Sequence, residues 1–244
     1  MSNRLPARFP KGQTRTAGAL YLAIIVFGVF SEGVVRAALV VPGDAATTAA
    51  NILAAPGLFR LGFAADAVMA LCDVALAVLL YLLLRPVSQP LALLAMVFRL
   101  IQTSILGVNL LNHYAALMIL DGGNTLVAFE ADQLNAMALY LLNVHSHGYD
   151  LGLLFFGINS LLVGYLLFVA GGAPRRLGVL MAAAGIVYLV GSTIRFLLPD
   201  ASPAFAPVYV VPLVAESAFC LWLLFRGGDL VPWRRRRSAE HVAS

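Results

Sequence analysis

Charge is what this 244-residue chain has least of: 11% of its residues are Asp, Glu, Lys or Arg, against 61% hydrophobic. A soluble domain carries roughly 25% charged residues, so a water-soluble fold of this length is excluded and lipid is the expected solvent. Cysteine is nearly missing as well. Cys72 and Cys220 both fall in apolar runs, which excludes a disulfide framework and suits packing. No Walker or Rossmann glycine pattern occurs, so nothing points to ATP or NAD, and no cofactor is expected. Asn-x-Ser/Thr is also absent.

What the chain does have is long apolar runs. Six stand out, at about Ala17–Leu39, Phe59–Leu84, Leu91–Leu111, Tyr149–Val169, Leu177–Leu197 and Phe205–Phe225. Each reaches the ~20 residues with which a helix crosses ~30 Å of hydrocarbon. The first is too long for a signal peptide and contains Glu32 and Arg36. The expected fold is therefore all-α. It is an integral membrane bundle of six transmembrane helices (residues 17–226) between a basic N-terminus (1–16) and a basic tail (227–244).

Arginine placement orients the bundle. Arg4, Arg8, Lys11 and Arg15 precede the first segment, Arg85 follows the second, Arg175 and Arg176 follow the fourth, and Arg226 with Arg234–Arg237 follow the sixth. Twelve of the sixteen basic residues thus lie on one side, while Asp44, Asp121, Glu130, Asp132 and Asp200 lie on the other. The positive-inside rule places both termini in the cytoplasm. The isoelectric point near 9.3 then reflects topology and a stop-transfer anchor at the lipid headgroups, not nucleic-acid binding. The outer loops carry short helices. "PGDAATTAANILAAPG" reads as a turn at Pro42-Gly43, Asp44 as N-cap, and a helix stopped at Pro56-Gly57. "DGGNT" is a turn, and "FEADQLNAMALYLLN" is a helix lying on the outer surface or extending the fourth segment outward. A loose Arg-x-x-Gly-x-Leu recurs at Arg15 and Arg175.

Ionisable residues inside membrane helices cost about 2.5–3.5 kcal/mol each on insertion scales, and they are paired, face the bundle interior, or are functional. At 1.5 Å per residue from the cytoplasmic ends, Asp73 lies about 16 Å deep, Arg99 about 12 Å, Gln102 about 17 Å and Glu216 about 14 Å. Two potential anions meet one permanent cation there. One carboxylate pairs with Arg99. The other must be protonated, bind a cation or find strong donors. An outer layer holds Glu32, Arg36, Arg60, Asp66, Asn109, His113, His145, His147, Asp150 and Arg195. Glu32 and Arg36 are spaced for an i,i+4 pair. Asp66 and Asp73 are seven apart, and Arg99, Gln102, Asn109 and His113 form a second polar stripe. Together these stripes suggest a hydrated cavity open to the outside.

In "NVHSHGYDLGLLFFG", His147 and Asp150 share a helix face, but His145 and His147 diverge by roughly 200° at 100° per residue. A straight helix cannot aim both imidazoles at one metal, so no metal site is expected, although a bend at Gly148 would relax that objection. Gly148 and Gly152 form a small-xxx-small pair suited to close helix packing.

The stretches "VPGDAATTAANILAAPGLFRLGFAADAVMALCDVALAVLLYLLLRPV", "FRLIQ" and "HSHGYDLGLLFFGINSLLVGYLLF" resemble a bacterial membrane family catalogued as domain of unknown function 4386. The likeness runs from Ala17 to about Gly227. It implies a multi-pass protein of the bacterial inner membrane and, because the family carries no assigned activity, no site residue. In similar sequences an aromatic residue is expected where His147 stands, which makes His145 the better candidate of the two histidines.

The expected function is transport or sensing of a small polar solute or proton through an outward-facing polar cavity, with the bilayer as the one partner the sequence specifies. Candidate binding residues are Glu32, Asp66, Asp73, Arg99, Gln102, Asn109, His145, Asp150 and Glu216. The alternatives are an intramembrane hydrolase, with or without a metal, acting on a lipid, and a structural partner of a membrane complex. The topology is open to a direct check. In a background lacking Cys72 and Cys220, single cysteines at positions 124 and 200 are expected to react with an impermeant thiol reagent in intact cells, and one at position 238 is not. The reverse labelling pattern inverts the orientation.

Overall fold

The computed structural model describes residues 11–122, 126–170 and 173–226. The described residues contain helices and no strands. Six runs are long and apolar enough to cross a membrane: Lys11–Leu39 (α1), Pro56–Leu84 (α3), Gln89–Leu120 (α4), Ala131–Val169 (α5), Arg175–Leu197 (α6) and Pro199–Phe225. The last comprises single turns up to Tyr209 followed by a regular helix, Val210–Phe225 (α7). The short helix Ala45–Ala54 (α2) joins α1 to α3. The chain is thus an all-helical multi-pass membrane protein. Arg4, Arg8, Arg234–Arg237 and residues 123–125 of "DGGNT" lie outside the described residues.

The turn before α2 follows its sequence. Gly43 has φ +79°, a left-handed conformation that suits glycine. Asp44 then accepts from the Thr47 backbone N–H at 2.9 Å and from the Thr47 hydroxyl. These donors hold its carboxyl below the usual range, the backbone bond contributing most. Ala54 ends α2, and Pro56 opens α3 at a position where its missing N–H costs nothing.

Of the two readings the sequence offers for "FEADQLNAMALYLLN", the structure takes the second: from Ala131 the segment extends the fourth span, and α5 runs unbroken for 39 residues. The segment's polar residues are spread along the helix, and it contains no glycine or proline to stop it. Gly148 does not break α5. A Cβ there would land on the side-chain amide of Asn109, so the glycine makes room for a neighbour. Finally, Phe30–Arg36 of α1 is a π-helical stretch, which the composition does not signal. It lies against α3 at Gly62. Ser31 donates to the Gly62 carbonyl at 3.1 Å, and Val35 Cγ1 sits 2.8 Å from where a Gly62 Cβ would be.

The contacts divide the chain into two compact units, and α1, α3, α4 and α5 contribute to both. The first unit takes in the chain up to Leu22, Asp73–Gln102 and everything from Leu153. Its α5 and α6 meet backbone to backbone. A Cβ on Gly164 would lie 2.7 Å from the Gly178 carbonyl oxygen, and one on Gly185 would lie 2.7 Å from that of Gly157. The two loose repeats place their glycines alike: Gly18 meets Leu224 and Gly178 meets the Phe168 backbone. The second unit is Ala23–Cys72 with Thr103–Gly152. Its apolar core includes Val35, Ile52, Phe59, Leu117 and Leu142.

Close backbone contact replaces the hydrophobic effect as the packing force between helices in lipid. Gly185→Leu is therefore expected to destabilise the protein by at least the 1–3 kcal/mol typical of overpacking. Gly107→Ala, where a Cβ meets nothing within 4 Å, is expected to be neutral or to stabilise by up to about 1 kcal/mol. Thermal melts in detergent compare the two.

Candidate functional site

Two buried polar centres stand out, one in each unit. In the first unit Arg99, on α4, has 2% of its surface exposed. Its Nε and Nη2 both donate to Oδ1 of Asp73 on α3, at 2.9 and 2.5 Å. Two aromatic rings flank the guanidinium carbon, Phe156 with its centroid at 5.0 Å and Tyr21 at 5.3 Å. In low dielectric this arrangement answers the charge twice, once by a forked ion pair and once by ring quadrupoles. Of the two candidate acids, Asp73 is the partner of Arg99.

Glu216, on α7, is also buried. It accepts a short hydrogen bond from the Tyr188 hydroxyl of α6 and forms no ion pair with any described residue. The Tyr21 hydroxyl lies in the combined field of Arg99, Asp73 and Glu216, yet makes no hydrogen bond of standard geometry. Tyr21 is thus a polar neighbour of both the ion pair and the remaining acid. Beside Arg99 is a cavity of about 10 Å³, lined also by Ala77, Met96, Asn159 and Val163, which is room for about one water. Asn159 donates to the Ala95 carbonyl at 2.8 Å, and its Oδ1 has no partner. Gln102 is buried with Oε1 unpartnered.

In the second unit Arg36 binds two carboxylates. Its Nε donates to Glu32 at 2.6 Å and its Nη1 to Asp66 Oδ2 at 2.7 Å. Asp66 is buried, whereas the Glu32 side chain is 74% exposed, so Asp66 is the acid that depends on the pair. Asn109 and His145 form a reciprocal clamp between α4 and α5. Asn109 Nδ2 donates to the His145 carbonyl at 2.7 Å, and His145 Nδ1 contacts the Asn109 carbonyl at 3.1 Å. Asn112 donates to Asn109 Oδ1 at 3.1 Å. His113 stacks on Phe59, with centroids 4.0 Å apart, and its Nε2 contacts the Phe59 carbonyl at 3.3 Å. The His113 and His145 rings meet edge to face at 5.4 Å.

The remaining candidates divide by exposure. His147 is exposed and bonded to the Asn143 carbonyl one turn back, while His145 is buried, as their angular separation requires. Asp150 is half-buried. Arg60 forms a surface pair with Asp121 at 3.6 Å. Among the described residues no three His, Cys, Asp or Glu side chains come together as a metal site. The residues that sequence reasoning passed over are Tyr21, Tyr188 and Phe156. An aromatic residue in an apolar run looks like core, and only the contact with Arg99 or Glu216 sets these three apart.

Residues 16–227 match the family described as "Domain of unknown function (DUF4386)", and the chain belongs to that family. It is also similar to an "Uncharacterized protein" of Archaeoglobus fulgidus, 30% identical over 158 residues, which covers 65% of this chain and 78% of the relative. No solved structure matches the chain.

The assignment of Asp73 to Arg99 has a stability consequence. Breaking a buried pair by removing one partner costs about 3–5 kcal/mol, because the other charge is left uncompensated. Arg99→Leu is expected to lose that amount. Arg99→Leu with Asp73→Asn should regain much of it, and Arg99→Leu with Glu216→Gln should not. Thermal stability of the variants in detergent reads the difference.

Proposed function

We propose that the protein transports or senses a proton, or a small solute coupled to one, with Glu216 as the group that exchanges it. The observation that carries this reading is the surplus acid. The guanidinium charge of Arg99 is already matched by Asp73, and Glu216 has a tyrosine hydroxyl where an ion pair would otherwise stand. An uncompensated charge at such a site is costly, and gaining or losing one proton switches that cost off or on. Tyr188 and Tyr21 supply hydroxyls on two other helices, and intramembrane acids flanked by polar groups are the usual parts of proton relays. The cavity beside Arg99 has room for about one water.

The distribution of basic residues supports a plasma-membrane orientation with both termini in the cytoplasm. The buried pair supports a functional rather than a scaffolding role. Apolar residues of equal volume are often as stable as a buried ion pair, or more so.

Reconstituted in liposomes under a pH gradient, the parent protein is expected to pass protons and Glu216→Gln to be inactive while remaining folded. If the role is sensing, the fluorescence of Trp222, on α7 with Glu216, should change with pH in a Trp233→Phe background and lose that change in Glu216→Gln. A Glu216→Gln protein identical to the parent in both measurements overturns the proposal.

A further inference from the structure

The cavity beside Arg99 has a direction. Its walls run along residues 77–84 of α3 and 92–99 of α4, with Asn159 and Val163 of α5 on a third side. Leu84 is the last residue of α3 and Ala92 lies in the first turn of α4. The lining therefore reaches from the buried ion pair to the end of the bundle where Arg85 stands in the turn between the two helices. Seven residues at 1.5 Å each make that distance about 10 Å. Eight of the ten lining residues are buried, and Tyr81 and Met96 alone are half-buried. These two mark the mouth. Tyr81 is one turn from the end of α3, a level at which a tyrosine keeps its ring in apolar surroundings and its hydroxyl toward the interface. Met96 is unbranched and adaptable, a side chain that can yield to a passing molecule.

The polar groups inside decide what can occupy the cavity. Asn159 Nδ2 donates to the Ala95 carbonyl at 2.8 Å. A carbonyl only accepts, so this bond fixes which end of the amide is nitrogen. Oδ1 is left as a buried acceptor without a partner, on a residue 2% exposed. An occupant must donate a hydrogen bond to that oxygen. It must also be neutral. Arg99 lines the same cavity and repels a cation, while Asp73 already answers its charge, so an anion finds no counterpart. An apolar occupant leaves Oδ1 unpaired. The volume suits about one water, which donates to Asn159 and accepts from a guanidinium or a tyrosine hydroxyl. We infer that Asn159, Arg99 and Tyr81 form a site for one water molecule, which enters between Tyr81 and Met96 from the α3–α4 end of the bundle and hydrates the buried ion pair from that side. Occupancy of the site does not rest on proton exchange at Glu216; only its use as the proton's way in does.

X-ray radiolysis in lipid nanodiscs tests occupancy, because hydroxyl radicals made from a bound water oxidise the side chains beside it. Met96 is expected to oxidise faster than Met181, which is buried and lies about as far from the start of its own helix. Asn159→Leu should bring Met96 down to the level of Met181, which separates the bound water from simple exposure. Equal rates in the parent, or a Met96 rate unchanged by Asn159→Leu, overturn the inference. Should Asn159→Leu fail to fold, magnetisation transfer from water to the Asn159 side-chain amide of the parent decides: transfer is expected, and its absence overturns the site. The mouth is read in the background lacking Cys72 and Cys220. Tyr81→Cys should react with a small impermeant thiol reagent added on the side that labels Arg85→Cys. Labelling only from the other side, or none, overturns the direction of entry. Proton flux in liposomes keeps the two proposals apart. Fast oxidation at Met96 without proton flux retains the water site and removes the proton reading, and flux without fast oxidation at Met96 does the reverse.

Discussion

The first unit is arranged around the need to neutralise one guanidinium. Arg99 cannot shed its proton, and an unpaired charge of this kind costs about 2.5–3.5 kcal/mol even on the mildest insertion scales. That is a large fraction of the 5–15 kcal/mol by which folded domains exceed their unfolded states. The forked bond to Asp73 therefore fixes the register of α3 against α4. Tyr21 of α1 and Phe156 of α5 fix two more helices, because each must present a ring to the same cation. The glycine seam between α5 and α6 lets those two helices approach closely, and α6 carries Tyr188, the donor to Glu216. One charge thereby sets the relative positions of most of the helices around it.

The second unit meets its polar demands mainly through backbone carbonyls. A helical carbonyl already accepts one N–H, but its oxygen has a second lone pair. Ser31 uses that of Gly62, Asn109 that of His145, and the two histidine rings those of Asn109 and Phe59. These bonds cross between helices and leave α3, α4 and α5 continuous. They also require close approach, which explains Gly148: a methyl group there would occupy the place of the Asn109 amide. The outcome is a clamp between α4 and α5 made of neutral groups, alongside the charged triplet of Glu32, Arg36 and Asp66.

The spans were legible because hydrocarbon thickness imposes a length and a composition that nothing else in the chain mimics. The N-cap at Asp44 and the divergence of His145 from His147 were legible because both depend on local geometry alone. The partner of Arg99 was not. Asp73 and Glu216 lie at nearly the same depth, and depth is all that a one-dimensional reading supplies; the choice depends on which helix lies beside α4. The π-helical stretch was invisible for a similar reason. It lies against Gly62 on another helix, and nothing in "FSEGVVR" itself signals it. Tyr21 and Tyr188 were hidden by the double nature of tyrosine, apolar in its ring and polar only at its tip.

The two units differ in what they leave unmet, and this bears on why the polar groups are there at all. Helix association in lipid can be achieved with small residues and shape, as the α5–α6 seam shows. Had association been the only requirement, apolar side chains in place of Arg99 and Asp73 would have served at equal or lower cost. Instead the first unit keeps a permanent ion pair and adds an acid that the pair does not need. The second unit spends the hydrogens of two imidazoles on backbone carbonyls and leaves the other nitrogen of each ring buried without a partner. An acid without a counter-ion has use for a proton, and acceptors without donors have use for a donor. Both are polar groups that helix association alone does not require.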